Sequence, residues 1–233
     1  MSRINISRDL RGKPHVVAAV HSPGALRSAQ KIQPGEVDFL EIRVDNFAAD
    51  PSALLAVLPR LRVPLIITVR HPAEGGAHNL STPRRRALFA QFLPHAALID
   101  VELRSLGKLA DIVTLARRSG VKIIASTHDF KGTPSTAALQ RAIVRAHAAG
   151  ADICKLAALT ETPVALAQLL GTLGRKQALP LSVMGMGSFG KISRLLLAQA
   201  GSVLNYGYLD RPNASGQWEA RLLKKRLAEL NEP

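Results

Sequence analysis

The chain has 233 residues, with 31 Lys and Arg against 17 Asp and Glu, a formal charge of +14. Apolar residues make up 47% and the 17 Gly and 14 Pro follow no period, which excludes disordered, collagen-like and low-complexity classes. A single cysteine, Cys154, excludes a disulfide framework and a Cys-based zinc site, no apolar run reaches the ~18 residues that span a bilayer, and the opening MSRINISRDLRGKP lacks a signal-peptide core, so a cytoplasmic protein is expected.

Short β-rich runs recur along the chain at 15–20, 37–44, 63–70, 97–103, 121–127, 151–156, 180–184 and 202–206. Helical periodicity fills the intervals; over 135–149, Leu139, Ile143 and Ala146 form an apolar stripe while Arg141 and Arg145 lie on another face. Helix starts are expected at Ser22-Pro23, Asp50-Pro51, Thr82-Pro83, Thr133-Pro134 and Thr162-Pro163, each a capping oxygen before a proline whose missing N–H costs nothing there. Gly120, Gly150 and Gly201 mark helix ends, where glycine adopts the left-handed conformation. About eight alternating strand–helix units imply a parallel sheet and fit an α/β fold, a (β/α)8 TIM barrel. No segment reads as a linker, so one domain over 1–233 is expected.

Side chains alternate between the two faces of a strand. Leu40, Ile42 and Val44 oppose Glu41 and Arg43, Val69 opposes Arg70, and Val101 opposes Asp100 and Glu102. Ile123 and Ala125 oppose Ser126 and His128, and Lys155 shares a face with Ile153. In a barrel the charged face is the interior, so Glu41, Arg43, Arg70, Asp100, Glu102, His128 and Lys155 converge at the C-terminal mouth, where barrel active sites lie. With His128 neutral the charges balance, three against three, as burial demands. An inert ion-pair network is the plain alternative.

Lys155 is the most informative residue. A desolvated lysine amine condenses with a ketone or aldehyde; the competing reading is an ion pair with Glu102 or Asp100. His128 can move a proton beside an imine carbon, and Glu102 or Asp129 can orient it, with strand parity favouring Glu102. Arg43, Arg70 and Arg194 suggest an anionic substrate, since guanidinium binds carboxylate with two bonds. GMGSFG at 185–190 matches a dinucleotide-binding pattern, but only one strand follows it; after strand seven of a barrel such a loop gives close backbone approach to an anion. His71 and His78 lack zinc spacing and read as loop histidines, and Cys154 reads as a small core residue. The runs RRR at 84–86 and KKR at 224–226 read as solvated helix faces, and nothing in the chain supplies a nucleic-acid motif.

The segments EIRVD (41–45), TVRHPAEGG (68–76), DVELR (100–104), STHDFKGTP (126–134), GADICKLA (150–157), SVMGMGSFGKISR (182–194) and GQ (216–217) resemble type I 3-dehydroquinate dehydratase over nearly the whole chain. The resemblance implies a lyase that dehydrates 3-dehydroquinate to 3-dehydroshikimate in the shikimate pathway of aromatic amino acid biosynthesis. It implies catalytic Lys155 as Schiff-base lysine, His128 as proton carrier and Glu102 as its orienting group. It also implies substrate contacts from Glu41, Arg43, Arg70, Arg194, Asn213 and Gln217. It further implies a homodimer with no metal or organic cofactor and a small anionic substrate; the dispersed charge and the lack of a long apolar run leave neither nucleic acid nor membrane as an expected partner. Asn213 stands where the family usually has serine and Ser215 where it has proline, which is expected to loosen the last loop. Ala19 and Ile42 replace a serine and an aromatic. Two competing readings are a class I aldolase, with a phosphate site at 185–190, and a nucleic-acid-binding protein drawn from the charge.

Overall fold

The structure, a computed structural model, describes residues 13–230. The opening segment read above for a signal peptide therefore lies almost wholly outside the described residues. The strands are β1 (His15–Val20), β2 (Phe39–Arg43), β3 (Leu65–Thr68), β4 (Leu98–Glu102), β5 (Lys122–Asp129), β6 (Ile153–Leu159), β7 (Leu181–Met186) and β8 (Leu204–Tyr208). The helices are α1 (Pro23–Ala29), α2 (Pro51–Val57), α3 (Thr82–Phe92), α4 (Ala110–Arg118), α5 (Thr136–Ala148), α6 (Pro163–Leu173), α7 (Gly190–Gln199) and α8 (Ala220–Glu229). Every strand pair is parallel, in the order β7-β6-β5-β4-β3-β2-β1-β8, so each helix carries the chain back to start the neighbouring strand. This is the (β/α)8 barrel expected from the alternation. Among the described residues no helix is long and apolar enough to cross a membrane.

Ser22, Asp50 and Thr162 cap their helices as expected, each accepting a bond from the backbone N–H three residues on. Two starts differ. Ser81, not Thr82, caps α3, and Ser135, not Thr133, caps α5. The Thr133 hydroxyl instead donates to the Leu159 carbonyl at 2.7 Å, tying the loop after β5 to the end of β6. Gly120, Gly150 and Gly201 are left-handed, with φ of 73°, 69° and 104°.

The pleat separates two cores. Val16, Leu40, Ile67, Ile99 and Ile123 face the helices and pack with Leu54, Leu88 and Phe92. Cys154 lies in a further outward cluster with Leu139, Ile143 and Leu169. Val17, Phe39, Ile66, Leu98, Ile124, Ile153 and Tyr206 fill the interior. Each fully buried Val, Leu, Ile or Phe stabilises by about 1.5–3 kcal/mol.

The β7–β8 seam closes differently from the other strand pairs. The Val203 amide donates to the Leu181 carbonyl at 2.9 Å. Beyond it, side chains continue the bridge: Ser182 Oγ donates to the Leu204 carbonyl, and Ser202 Oγ both accepts from the Val183 amide and donates to its carbonyl. Nearer the mouth, Arg194 on α7 joins the two strands through the carbonyls of Gly185 and Tyr206.

Candidate active site

Register brings the charged strand ends to one level. Thr68 pairs with Asp100, Glu102 with Ser126, and Ser126 with Lys155. Interior parity holds at each: Glu41 is 3% exposed, Lys155 3%, and Asp100 and Glu102 are fully buried.

Lys155 Nζ donates to Asp100 Oδ2 at 2.9 Å, lies 3.5 Å from Glu41 Oε1, and sits 3.8 Å from the Tyr206 ring centre. The ion pair with Asp100 is thus present, and it holds the amine inside the barrel. Arg70 organises the same carboxylates. Its Nη1 donates to Asp100 Oδ1, Glu102 Oε1 and Ser126 Oγ, and its Nη2 to Asp100 Oδ2. Burial opposes the Asp100 charge, yet Arg70 and Lys155 outweigh it and hold this carboxyl well below the usual range. Carboxylates in turn keep the buried Arg70 firmly protonated. Its guanidinium bonds therefore go to two of the protein's own carboxylates and to the Ser126 hydroxyl. Glu41 accepts from Thr68 Oγ1 at 3.0 Å.

His128 corrects the expected orienting partner. Its Nδ1 lies 3.0 Å from Glu74 Oε2, and its backbone N–H donates to the same oxygen at 3.0 Å. Glu102 is occupied elsewhere: Arg70 and the His71 amide bond Oε1, and Arg85 Nη2 donates to Oε2 at 2.5 Å. Those bonds fix the loop that delivers Glu74, so Glu102 acts on His128 at one remove. Asp129 accepts from the Lys131 and Gly132 amides and orders its own turn.

The loop after β3 is built for this delivery. Residues 72–74 form a single 3-10 turn, closed by Gly75 at φ 82°. A Cβ on Gly76 would lie 2.2 Å from the Arg70 carbonyl, so only glycine fits. Asp45 pins both ends of the loop, accepting from the Arg70 and Ala77 amides while Arg43 grips it with two bonds. His71 Nδ1 accepts from the Ala73 amide and His78 is exposed.

Electrostatics set the pair apart. Burial, then the Glu102 charge, raises Glu74 to about 7. Burial, then Arg70 and Lys155, pushes His128 well below the usual imidazole value. The imidazole is neutral at pH 7. Burial raises the Cys154 thiol to about 12, which suits a packing residue.

Arg194 is buried with no carboxylate partner among the described residues. Its Nε donates to the Tyr206 carbonyl, and its Nη1 to the carbonyls of Gly185, Gly190 and Gly216. Burial lowers its pKa to about 10. Gln217 Oε1 accepts from the Asn213 and Ala214 amides, folding the last loop on itself. Ser215 Oγ accepts from the Gly187 amide at 2.9 Å, so the serine that was expected to loosen this loop fastens it to the loop after β7.

The glycines at 185–190 serve loop packing. A Cβ on Gly190 would lie 2.7 Å from Gly216 Cα, and one on Gly187 would meet Glu161. The close approach expected toward an anion is filled here by neighbouring loops.

Strand parity missed Glu74, Asp45 and Arg85. Glu74 and Asp45 lie beyond strand ends, though both sit inside segments that carried the family resemblance. Arg85 was read as a solvated residue of the run 84–86. It is 1% exposed and bonds Glu102, Ser105 and the Val69 carbonyl. A run of three arginines on a helix spans most of a turn, so one of them must face the barrel.

A family model described as Type I 3-dehydroquinase matches residues 17–232. The 3-dehydroquinate dehydratase of Methanocella arvoryzae is 34% identical, over 88% of this chain and 91% of that protein. The crystal structure of 3-dehydroquinate dehydratase from Geobacillus kaustophilus matches with a TM-score of 0.85 at 29% identity, covering 94% of this chain and 91% of that one. The type I enzyme of Clostridium difficile, solved with covalently modified comenic acid, matches with a TM-score of 0.84 at 27% identity, covering 94% and 93%.

Replacing Arg85 by Met removes one partner of a buried pair and leaves Glu102 Oε2 exposed to an apolar neighbour. The expected loss is about 3–5 kcal/mol of stability, read by urea unfolding at neutral pH. A loss below about 1 kcal/mol, the range of a surface ion pair, would show that Arg85 does not compensate Glu102.

Proposed function

The chain belongs to the type I 3-dehydroquinase family, and from that premise we propose that it dehydrates 3-dehydroquinate to 3-dehydroshikimate through an imine on Lys155, as a step of the shikimate pathway. The observation that carries this reading is an amine buried at the barrel mouth, 2.9 Å from Asp100 and facing the same charged cluster as His128. The covalent ligand in the Clostridium difficile relative also supports a covalent route.

Lys155 condenses with the C3 ketone, and the protonated imine becomes an electron sink. His128, neutral, removes the C2 proton through Nε2. That requires the other ring proton on Nδ1, donated to the Glu74 carboxylate. Glu74 is therefore the positioning residue, in the place first expected for Glu102. Electrons from the C2–H bond form the C1–C2 double bond, and the C1 oxygen departs with the proton returned by His128. Hydrolysis of the imine then releases product and amine, so the sum is loss of one water.

Glu41 and Arg43 stand at the mouth for ring hydroxyls. Arg194 has no bond from Nη2 among the described residues, and its uncompensated charge suits the substrate carboxylate, with Asn213 and Gln217 closing over it. Arg70 reaches substrate only from within its carboxylate network. The chain acts in this reading as one barrel domain, paired as a homodimer in the cytoplasm.

Borohydride added with 3-dehydroquinate should fix a covalent adduct on Lys155, seen by peptide mass. His128→Ala should still give the adduct while turnover falls by about 10²–10⁴. Turnover with an unmodified Lys155 would overturn the imine route, and wild-type turnover in His128→Ala would remove the imidazole from it.

Because the working tautomer needs an ionised Glu74, kcat should rise with pH through about 7. Glu74→Gln should lower kcat and abolish that rise. A limb that persists unchanged in the variant would assign it to another group.

A further inference from the structure

Tyr206 is an interior residue of β8, 3% exposed, and its hydroxyl has no hydrogen-bond partner among the described residues. A buried hydroxyl without a partner forfeits the hydrogen bonds it would make to water. The oxygen is not placed in an indifferent position. The ring lies 3.8 Å from Lys155 Nζ, and the rigid phenol keeps its hydroxyl within one ring length of that amine. The strand backbone that carries the ring is held, because Arg194 Nε donates to the Tyr206 carbonyl at 3.0 Å. The phenol also feels the charges of Glu41, Asp100 and Arg70, the groups that surround the amine.

Burial and the Glu41 and Asp100 charges push the phenol pKa well up. The hydroxyl therefore keeps its proton and is a standing donor. The groups beside it are already engaged: Asp100 by Arg70, Ser126 and Lys155, and Glu41 by Thr68. What such a donor lacks is an acceptor, and a substrate carbonyl brought to Lys155 supplies one.

We propose that Tyr206 is a further catalytic residue of the imine-forming step, its ring face holding the Lys155 amine and its hydroxyl donating a hydrogen bond to the carbonyl oxygen that leaves as Lys155 condenses. This rests on the reading of Lys155 given above and adds to it a residue for one step. The step converts an ammonium and a ketone into a protonated imine and water. A carbon–nitrogen double bond forms, the carbon–oxygen bond breaks, and two of the three ammonium protons leave on the oxygen. Tyr206 ends the step with its own proton. Its contribution is a fixed dipole aimed at an oxygen that gains charge, where a preorganised donor acts most strongly.

The test isolates that step. In a His128→Ala chain, elimination is blocked while imine formation and hydrolysis continue. Each cycle exchanges the ketone oxygen of 3-dehydroquinate with solvent, which mass spectrometry reads in isotopically heavy water. Adding Tyr206→Phe keeps the ring and removes only the hydroxyl. Enzyme-dependent exchange should fall about tenfold, the effect of one lost hydrogen bond. The melting temperature should hold or rise, because an unsatisfied buried hydroxyl has been removed. Exchange within twofold of the parent overturns the proposal, and so does a fall in both exchange and melting temperature, which marks a packing role. If the parent shows no exchange, the imine reading itself fails. If it exchanges and only the Phe comparison is flat, that reading stands and this one falls. Tyr206→Phe in the otherwise unchanged chain, with borohydride trapping against time, gives the same comparison should the double variant not fold.

Discussion

A charged amine inside a barrel is stable only where opposite charge lies within bonding distance, and that constraint shapes the mouth of this protein. Burying an ion costs several kcal/mol, even after the protein relaxes, unless partners and hydrogen bonds compensate it. Lys155, Arg70 and Arg85 meet Asp100, Glu41 and Glu102, three against three, with Ser126 and Thr68 supplying further bonds. Arg43 and Asp45 balance separately at the rim. Balance explains why so many ionisable groups sit at nearly zero exposure. It also ties function to stability, because removing one member leaves another buried and unpaired.

The His128–Glu74 pair depends on this network without belonging to it. The Glu102 charge, positioned by Arg70 and Arg85, adds to burial in raising Glu74, while Arg70 and Lys155 join burial in lowering His128. Both shifts favour uncharged forms, and they bring the carboxyl close to neutral pH. The same Glu102 bonds the His71 amide, so the carboxylate that tunes Glu74 also fixes its loop.

Arg194 does comparable work on the opposite wall. The β7–β8 seam is bridged largely by side chains, and Arg194 spans it near the mouth while holding the Gly216 carbonyl of the last loop. Seam and loop are thus fastened to one guanidinium. A ligand carboxylate at that guanidinium would therefore bear on both. Ser215 adds a second fastening at the Gly187 amide.

The alternation of short β-rich runs with capped helical stretches determined the barrel, because a parallel sheet needs a crossover after every strand. Period-two parity determined which side chains face inward: Glu41, Asp100, Glu102 and Lys155 all do, since a one-residue error would reverse every face at once. Capping was legible at Ser22, Asp50 and Thr162, where cap and proline adjoin, but not at Ser81 and Ser135, where other side-chain oxygens lie one or two residues away. Parity could not say which interior groups touch. The partner of His128 is Glu74, carried in by a loop whose path is set by Asp45, Gly76 and Glu102. Arg85 enters the network from a helix, and the Tyr206 hydroxyl stands out by its ring's contact with Lys155 and the lack of a hydrogen-bond partner among the described residues. Periodicity is a property of the local backbone and is written in the order of residues. Contacts across the mouth depend on barrel closure and loop paths, and these exist only once the strands have paired.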